Sequence, residues 1–496
     1  MQLLTLLLII PIIAIIIMNY SSFMSNKAVH LTALYIANVS FFISILLWFF
    51  LDKTNSGFQF QTSIFLVPSL NFDIVLGLDG ISIYFILLTN LFIYICILTL
   101  STYQVRLKEL LMHLFLLQWA ISCAFSVLDV LGFFIFFEAT LIPIFFIVLV
   151  WGSRGRKIRA SYLISIYTLF GSIFMLLNIL YLISKTGLTS YQHLLSITFL
   201  EEDQRFLWIT FFLAFAAKIP LFPLHIWLPE AHVEAPTLGS VLLAALLLKL
   251  GTYGLIRFSL PLFPLATIYY TPLIYTFGIL GIIYTCLTAI RQVDLKKVIA
   301  YSSVGHMNCV LLGIMTLRIE SLEGALFQML SHGIVSGALF LCVGVIYDRY
   351  GSRYIKYYGG LTTISPLLSI IFLIFSMANI SFPGTSSFVG EFLILAGVFK
   401  ESSWVAFFAM FSMVLGAVYM LWLYNRIFFG NLKNGSGFSN TKTTILAFSD
   451  LNKKELYIFI LLIIILFVMG IYPKLFLTTF HMNILNIIVL SKNYII

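Results

Sequence analysis

Four ionisable residues lie inside runs of apolar sequence: Glu138 in FFIFFEATLIPIFF, Lys218 in FFLAFAAKIP, Lys249 in LAALLLKLGTYG and Glu391 in SSFVGEFLIL. Apolar residues extend for about two helical turns on at least one side of each, so none can snorkel easily. A charge at the bilayer centre costs at least ~2.5–3.5 kcal/mol, and such residues default to functional work with partners in the protein interior. The plainer alternative is a set of structural buried salt bridges, Glu138–Lys218 for instance, with Glu391 holding a helix break. A buried ion pair roughly breaks even at best, which makes it a poor device for stability alone. The chemistry open to these groups is proton storage and transfer. Burial disfavours the charged form of each, and an opposite charge nearby favours it. A lysine beside a movable glutamate therefore switches between holding and releasing its proton as their separation changes.

Histidines extend the set. His225 and His232 flank a proline-rich stretch, His306 lies in YSSVGHMNC, and His332 in MLSHGIVSG. A free histidine titrates near neutral pH, so a histidine in such a place can relay protons or can simply bond a neighbouring helix. His332, mid-run among small residues, favours relay. His30, His113, His193 and His481 fall near run ends and need no special role. Asp129 reads as a helix N-cap. Arg257, closing its run, is expected to snorkel to the interface. Cys96, Cys123, Cys286, Cys309 and Cys342 are scattered through apolar runs. No spacing among them suits zinc, haem or an iron–sulfur cluster, and no nucleotide-binding glycine motif occurs.

The elements that must position these residues are membrane helices. Of 496 residues, 61% are hydrophobic and 9% charged, against about 25% charged in soluble domains; the mean hydropathy is +1.07. A water-soluble enzyme is excluded. So is a nucleic-acid binder, because the net charge of +9 is spread over loops without a basic block. Continuous apolar segments fall near 2–18, 31–51, 79–100, 110–128, 130–151, 161–184, 206–231, 237–258, 269–290, 296–316, 322–346, 362–399, 404–428 and 456–479. Each can cross about 30 Å of hydrocarbon as a helix, and strands are set aside because the runs do not alternate. The first, Leu3–Met18, lacks a basic flank and a cleavage site, and reads as a retained helix rather than a signal peptide. The stretch 430–455 is the most loop-like.

Cations gather in the breaks after odd-numbered segments: Arg154, Arg156, Lys157 and Arg159; Arg291, Lys296 and Lys297; Arg349, Arg353 and Lys356; Arg426, Lys433, Lys442, Lys453 and Lys454. The odd breaks are thus expected on the cytoplasmic or matrix side, with both termini opposite. The seventh break objects, carrying Glu230 and Glu234 with no cation. Segments seven (AAKIPLFPLHIWLPEAH) and twelve (ANISFPGTSSFVGEF) hold prolines that should break them midway. Broken backbone at membrane depth must line a cavity or be buried in protein. Paired breaks five segments apart signal inverted repeats, segments 4–8 and 9–13. Aligning LLLKLGTYG (246–254) with FSMVLGAVY (411–419) sets Lys249 against Val414, so the second copy lacks that lysine. The expected division is 1–107 (helices 1–3), 108–258 (first repeat), 259–430 (second repeat) and 431–496 (polar loop and helix 14).

The run FAAKIPLFPLHIWLPEAHVEAPTLGSVLLAALLLKLGTYGLIRF (215–258) closely resembles the subunit-4 family among the antiporter-like membrane subunits of NADH:ubiquinone oxidoreductase, respiratory complex I. DLKKVIAYSSVGHMN (294–308) and FPGTSSFVGEFLIL (382–395) are similar to the same family's second-half motifs, and the resemblance covers about 75–480. LPEAHVEAP discriminates most, because sister subunits 2 and 5 differ there. The resemblance implies an all-α fold of about fourteen transmembrane helices with two inverted five-helix repeats and broken helices 7 and 12. It implies that Glu138 pairs with Lys218, that Lys249 is the central carrier, and that His332 links it onward. His306 takes a relay position and Glu391 the exit-side carrier position. On the same basis no cofactor belongs to this chain; FMN, iron–sulfur clusters and ubiquinone lie in other subunits. Subunits 2 and 5 are implied as neighbours, with lipid around them and no nucleic acid. Abundant Phe, Tyr, Ile and Asn resemble the product of an AT-rich organellar genome, which points to the mitochondrial inner membrane. The expected function is proton translocation within an H+-translocating NADH:ubiquinone reductase. A cation/proton antiporter outside respiration is the alternative, and a structural membrane subunit without its own flux is the third reading.

Overall fold

The computed structural model describes residues 2–20, 24–67, 72–432 and 450–492. Each apolar segment forms a helix because, in lipid, the backbone must satisfy its own hydrogen bonds. The helices are α1 Gln2–Tyr20, α2 Asn26–Phe50, α3 Ser82–Thr99, α4 Leu107–Ser126, α5 Val130–Trp151, α6 Lys157–Thr186, α8 Thr237–Leu262, α9 Pro264–Ile290, α10 Leu295–Met315, α11 Ile319–Tyr350, α13 Ser403–Phe428 and α14 Lys453–Ile471. Segments seven and twelve are broken as expected, into α7a Glu201–Lys218 and α7b Trp227–Glu234, and α12a Pro366–Asn379 and α12b Ser386–Glu401. At the second break Ser381 and Gly384 take positive φ, 64° and 92°. Local chemistry fixes several ends: Asp129 caps α5 by accepting from Gly132 N, Asp294 caps α10, and Asn452 with Glu455 forms a capping box on α14.

Burial sorts the helices into layers. The apolar stretches of α8 and α11 are 100% buried and that of α10 is 94% buried, whereas those of α1, α2 and α13 are 33% buried. Helices apolar all round and covered all round form the interior of the bundle. These three therefore make a central spine, and they carry Lys249, His306 and His332. The outer helices turn Ile, Leu and Phe outward, as lipid-facing surfaces require.

Three features lie outside the sequence reading. The connection after α2 forms an antiparallel hairpin, β1 Gln59–Val67 with β2 Phe72–Leu78, pairing Thr62 with Leu76. It lies between apolar segments rather than within one, so an argument about spans passed over it. The last apolar segment splits into α14 and a further helix, α15 Lys474–Lys492. α15 packs across the even-break ends of other helices: His481 meets Glu323 at 2.6 Å, and Asn483 accepts from Gly80 N at 3.2 Å. Arg257 does not snorkel. It is buried in an ion pair with Asp79 and beside the Tyr253 hydroxyl, because the hairpin and the start of α3 close over the end of α8. Of the polar stretch 430–455, residues 433–449, including Lys433 and Lys442, lie outside the described residues.

The seventh break's acidic residues find their cations from other odd breaks. Glu230 pairs with Lys297 at 2.7 Å, and Glu234 lies 4.0 Å from Arg353. The charge balance of that face is struck between loops, which a loop-by-loop count cannot register.

Candidate functional site

Lys218 ends α7a, where the chain turns into the break. Its ammonium donates to Phe137 O at 2.6 Å and Thr140 Oγ1 at 3.2 Å, and lies 3.3 Å from the Phe137 ring centroid. These acceptors flank Glu138 on α5, so the expected Glu138–Lys218 partners are adjacent, and the charge of each bears on the other. They are not joined. Both Glu138 carboxylate oxygens lack a hydrogen-bond partner among the described residues. The Ser172 hydroxyl lies alongside but donates to Leu169 O at 2.9 Å. Lys218 is instead held by a carbonyl and a hydroxyl made available where α5 is interrupted at Thr140.

α8 passes close to the end of α7a. A Cβ on Gly251 would lie 2.8 Å from Ile219 Cγ1, so only glycine lets the two backbones approach this closely. Lys249, two residues earlier, is wholly buried. It follows a π-helical turn, Leu243–Leu247, and its ammonium reaches back to Ala244 O at 2.5 Å. A π-turn shifts the backbone pairing and is frequent at functional sites. Here it lies beside the carbonyl that holds the lysine.

From Lys249 the contacts continue without an apolar gap of helix width. Lys249 Nζ lies 2.9 Å from His332 Nδ1. The His332 and His306 rings are 5.7 Å apart, and His306 Nδ1 lies 2.6 Å from Glu391 Oε1. Gln328 Nε2 donates to the same oxygen at 3.1 Å, and the Ser331 hydroxyl bridges from Gln328 Oε1 to Ser387 Oγ, each at 3.2 Å. α12b brings Glu391 to this line because the break at Pro383–Gly384 redirects the chain. A charged Lys249 requires His332 Nδ1 as acceptor, which leaves that ring's proton on Nε2. Nε2 of His332 and of His306 both lack partners among the described residues. A proton taken at one nitrogen of each ring can thus be released from the other.

The structure brings Lys249, His332, His306 and Glu391 into one line and sets Glu138 and Lys218 together beside it. His225 stacks on Phe222 at 5.6 Å, and His232 stacks on Phe340 at 4.6 Å. Sequence reading missed Gln328, Ser331, Thr140 and the Ala244 carbonyl. Gln328 had a usable signal, a polar residue one turn before His332 in an apolar helix. The carbonyl had none, since any residue supplies one.

Residues 127–416 match the family model described as NADH:quinone oxidoreductase/Mrp antiporter, transmembrane. The NADH-ubiquinone oxidoreductase chain 4 of Marchantia polymorpha is 51% identical over 91% of this chain and 90% of that protein. The NADH-quinone oxidoreductase subunit M of Rhodobacter capsulatus is 42% identical, over 88% and 86% respectively. Among solved structures, a chain of respiratory complex I from Thermus thermophilus with bound NADH superposes with a TM-score of 0.87 at 29% identity, covering 98% of this chain and 99% of that one. A chain of the Mrp complex from Dietzia sp. DQ12-45-1b gives 0.84 at 18% identity over 98% of each, a likeness of fold alone.

Proposed function

The chain belongs to the NADH:quinone oxidoreductase/Mrp antiporter transmembrane family, and we propose that it is a proton-translocating membrane-arm subunit of complex I. Electron transfer from NADH to quinone takes place in other subunits, which hold FMN, the iron–sulfur clusters and the quinone. This chain supplies buried carriers. The observation that carries the reading is the buried sequence Lys249–His332–His306–Glu391, with its 2.9 Å and 2.6 Å contacts at the two ends.

Glu138 works as the switch. Its charge bears on Lys218 without a bond to fix the distance, so a change of field along the membrane arm alters how firmly Lys218 holds its proton. A proton released by Lys218 passes to neutral Lys249, then through His332 and His306 to Glu391. Lys249, His332 and His306 each become cationic on accepting the proton and neutral on passing it on, and the Glu391 carboxylate is neutralised when it receives it. The mitochondrial inner membrane is the setting that fits the composition and the chain 4 relatives. Subunits 2 and 5 are the neighbours this reading assigns.

Lys249→Ala in the assembled complex is expected to abolish proton transport through this subunit while the complex still assembles. The check is protons moved per electron in sealed vesicles. An unchanged ratio would overturn the assignment of Lys249. If neutralising Glu138, Lys218, Lys249 and Glu391 in turn left pumping intact, the chain would be a structural subunit.

A further inference from the structure

Glu391 is held on two sides. His306 Nδ1 lies 2.6 Å from its Oε1, and Gln328 Nε2 donates to that same oxygen at 3.1 Å. Behind the amide stands the Ser331 hydroxyl, with two acceptors at one distance, Gln328 Oε1 and Ser387 Oγ, each at 3.2 Å. All four side chains that surround this carboxylate or follow it, His306, Gln328, Ser331 and Ser387, are buried. A hydroxyl carries one proton, so Ser331 serves only one of its two acceptors at a time.

The backbone around this group has little room to move. A Cβ on Gly324 of α11 would lie 2.7 Å from Leu393 Cβ and 2.8 Å from Ile394 N of α12b, and one on Gly397 would overlap Ser321 Cβ. The two helices therefore touch along a tight seam, and a change of charge at Glu391 must be met by side chains. A Cβ on Gly390, next to Glu391, would lie 2.6 Å from Gln328 Oε1, so glycine there leaves the amide head its space. An ionised carboxylate only accepts hydrogen bonds, whereas a protonated one also donates. Once His306 has passed its Nδ1 proton to Oε1, the acceptor facing that proton is the Nδ1 it has just left. The amide offers an alternative. Its head has nearly the same shape either way round, so a half-turn about its last bond presents Oε1 to Glu391 and Nε2 to Ser331.

We propose that Gln328 is a positioning residue whose amide turns over when Glu391 is protonated and so keeps the proton from returning to His306. The inference rests on the reading of Glu391 as the acceptor of a proton from His306. One proton moves. The Nδ1–H bond of His306 breaks and an O–H bond forms at Glu391, leaving a neutral imidazole and a neutral acid. The amide and the hydroxyls only exchange hydrogen bonds. Before the transfer His306 and Gln328 donate to Glu391, and Ser331 donates to Gln328. After it Glu391 donates to Gln328 Oε1, Gln328 Nε2 donates to Ser331, and Ser331 donates to Ser387, its second acceptor. The number of bonds is the same in both states, so neither leaves a buried polar group of this set stranded. When Glu391 is emptied, the amide turns back.

The test uses the assembled complex in sealed vesicles, with proton transport measured both without and against an opposing proton gradient. Gln328→Met keeps the length of the side chain but loses the amide donor and acceptor. Ser331→Ala removes the hydroxyl that the turned amide needs. A proton that can slip back to His306 is lost most readily under load. Gln328→Met is therefore expected to lower transport about tenfold against the gradient and about twofold without it, tenfold being what one hydrogen bond of ordinary strength controls. Ser331→Ala should show the same split with a smaller loss, about threefold under load. A glutamine that merely packs the seam would lower both conditions alike. Such an equal loss, or no loss, would overturn the proposal. If Gln328→Met fails to assemble, Ser331→Ala decides alone, since it removes a single heavy atom. Glu391→Gln in the same preparation separates the two ideas. Normal transport there sinks the assignment of Glu391, whereas lost transport beside a Gln328→Met variant indifferent to the gradient sinks only the role of the amide.

Discussion

Between Lys249 and Glu391 stand two hydrogen-bonded pairs, Lys249–His332 at 2.9 Å and His306–Glu391 at 2.6 Å, whose rings face each other with centroids 5.7 Å apart. On the other side of Lys249, Glu138 and Lys218 are neighbours without a bond, and the lysine is held by a carbonyl and a hydroxyl instead. The contrast teaches where control can reside. Within each bonded pair donor and acceptor are already in reach, and only the ring-to-ring step between His332 and His306 has to be bridged. An unbonded charge pair has an interaction that varies with distance and field. On the proposed reading, then, the second half conducts and the first half decides.

The largest effect is expected from breaking the joined half. His332→Phe removes both ring nitrogens while filling the space, and transport should fall about 100-fold, measured as protons per electron in sealed vesicles. A drop of twofold or less would mean that the line between Lys249 and His306 is closed by some other group. Next comes the unjoined half. Glu138→Gln keeps the shape and removes the charge, so turnover is expected to fall about tenfold, with His332 and Glu391 still in place. If its loss matched that of His332→Phe, the distinction between switch and line would fail.

A third buried pair provides a control for both. Asp79 and Arg257 are ion-paired at the even-break end of α8, outside the line. Asp79→Asn strands the guanidinium and should cost about 3–5 kcal/mol of stability, read as a lower thermal midpoint of the purified complex. Adding Arg257→Met should restore most of it, with protons per electron unchanged throughout. The smallest effect belongs to the rim. Arg318 and Glu401 pair at 2.5 Å but are 39% exposed, so Arg318→Ala should shift stability by less than about 1 kcal/mol and leave transport alone.

The four buried charges were legible because charge is scarce in this chain and lipid makes each misplaced charge conspicuous. Glu138, Lys218, Lys249 and Glu391 could be named from spacing alone, and so could the two broken helices, since proline acts locally. Arg257 was misjudged for the same reason. Its place at the end of an apolar run suits snorkelling, and nothing nearby in sequence announces Asp79, 178 residues earlier. Lys296 was hidden differently. In DLKK it looks like its neighbour Lys297, yet one ammonium turns inward to Ser240 and the other outward to Glu230.

The sequence by itself determined the solvent, the helices, their breaks and the identity of the charged groups, because each depends on composition and near neighbours along the chain. Only the tertiary structure decided which of those groups touch. That depends on how closely helices approach, as at Gly251 against Ile219, and on which helices are covered on every side. It also decided that Glu138 and Lys218 stand together unbonded while His306 and Glu391 are bonded. How closely two helices approach separates a bonded pair from an unbonded one, and no residue type records that distance.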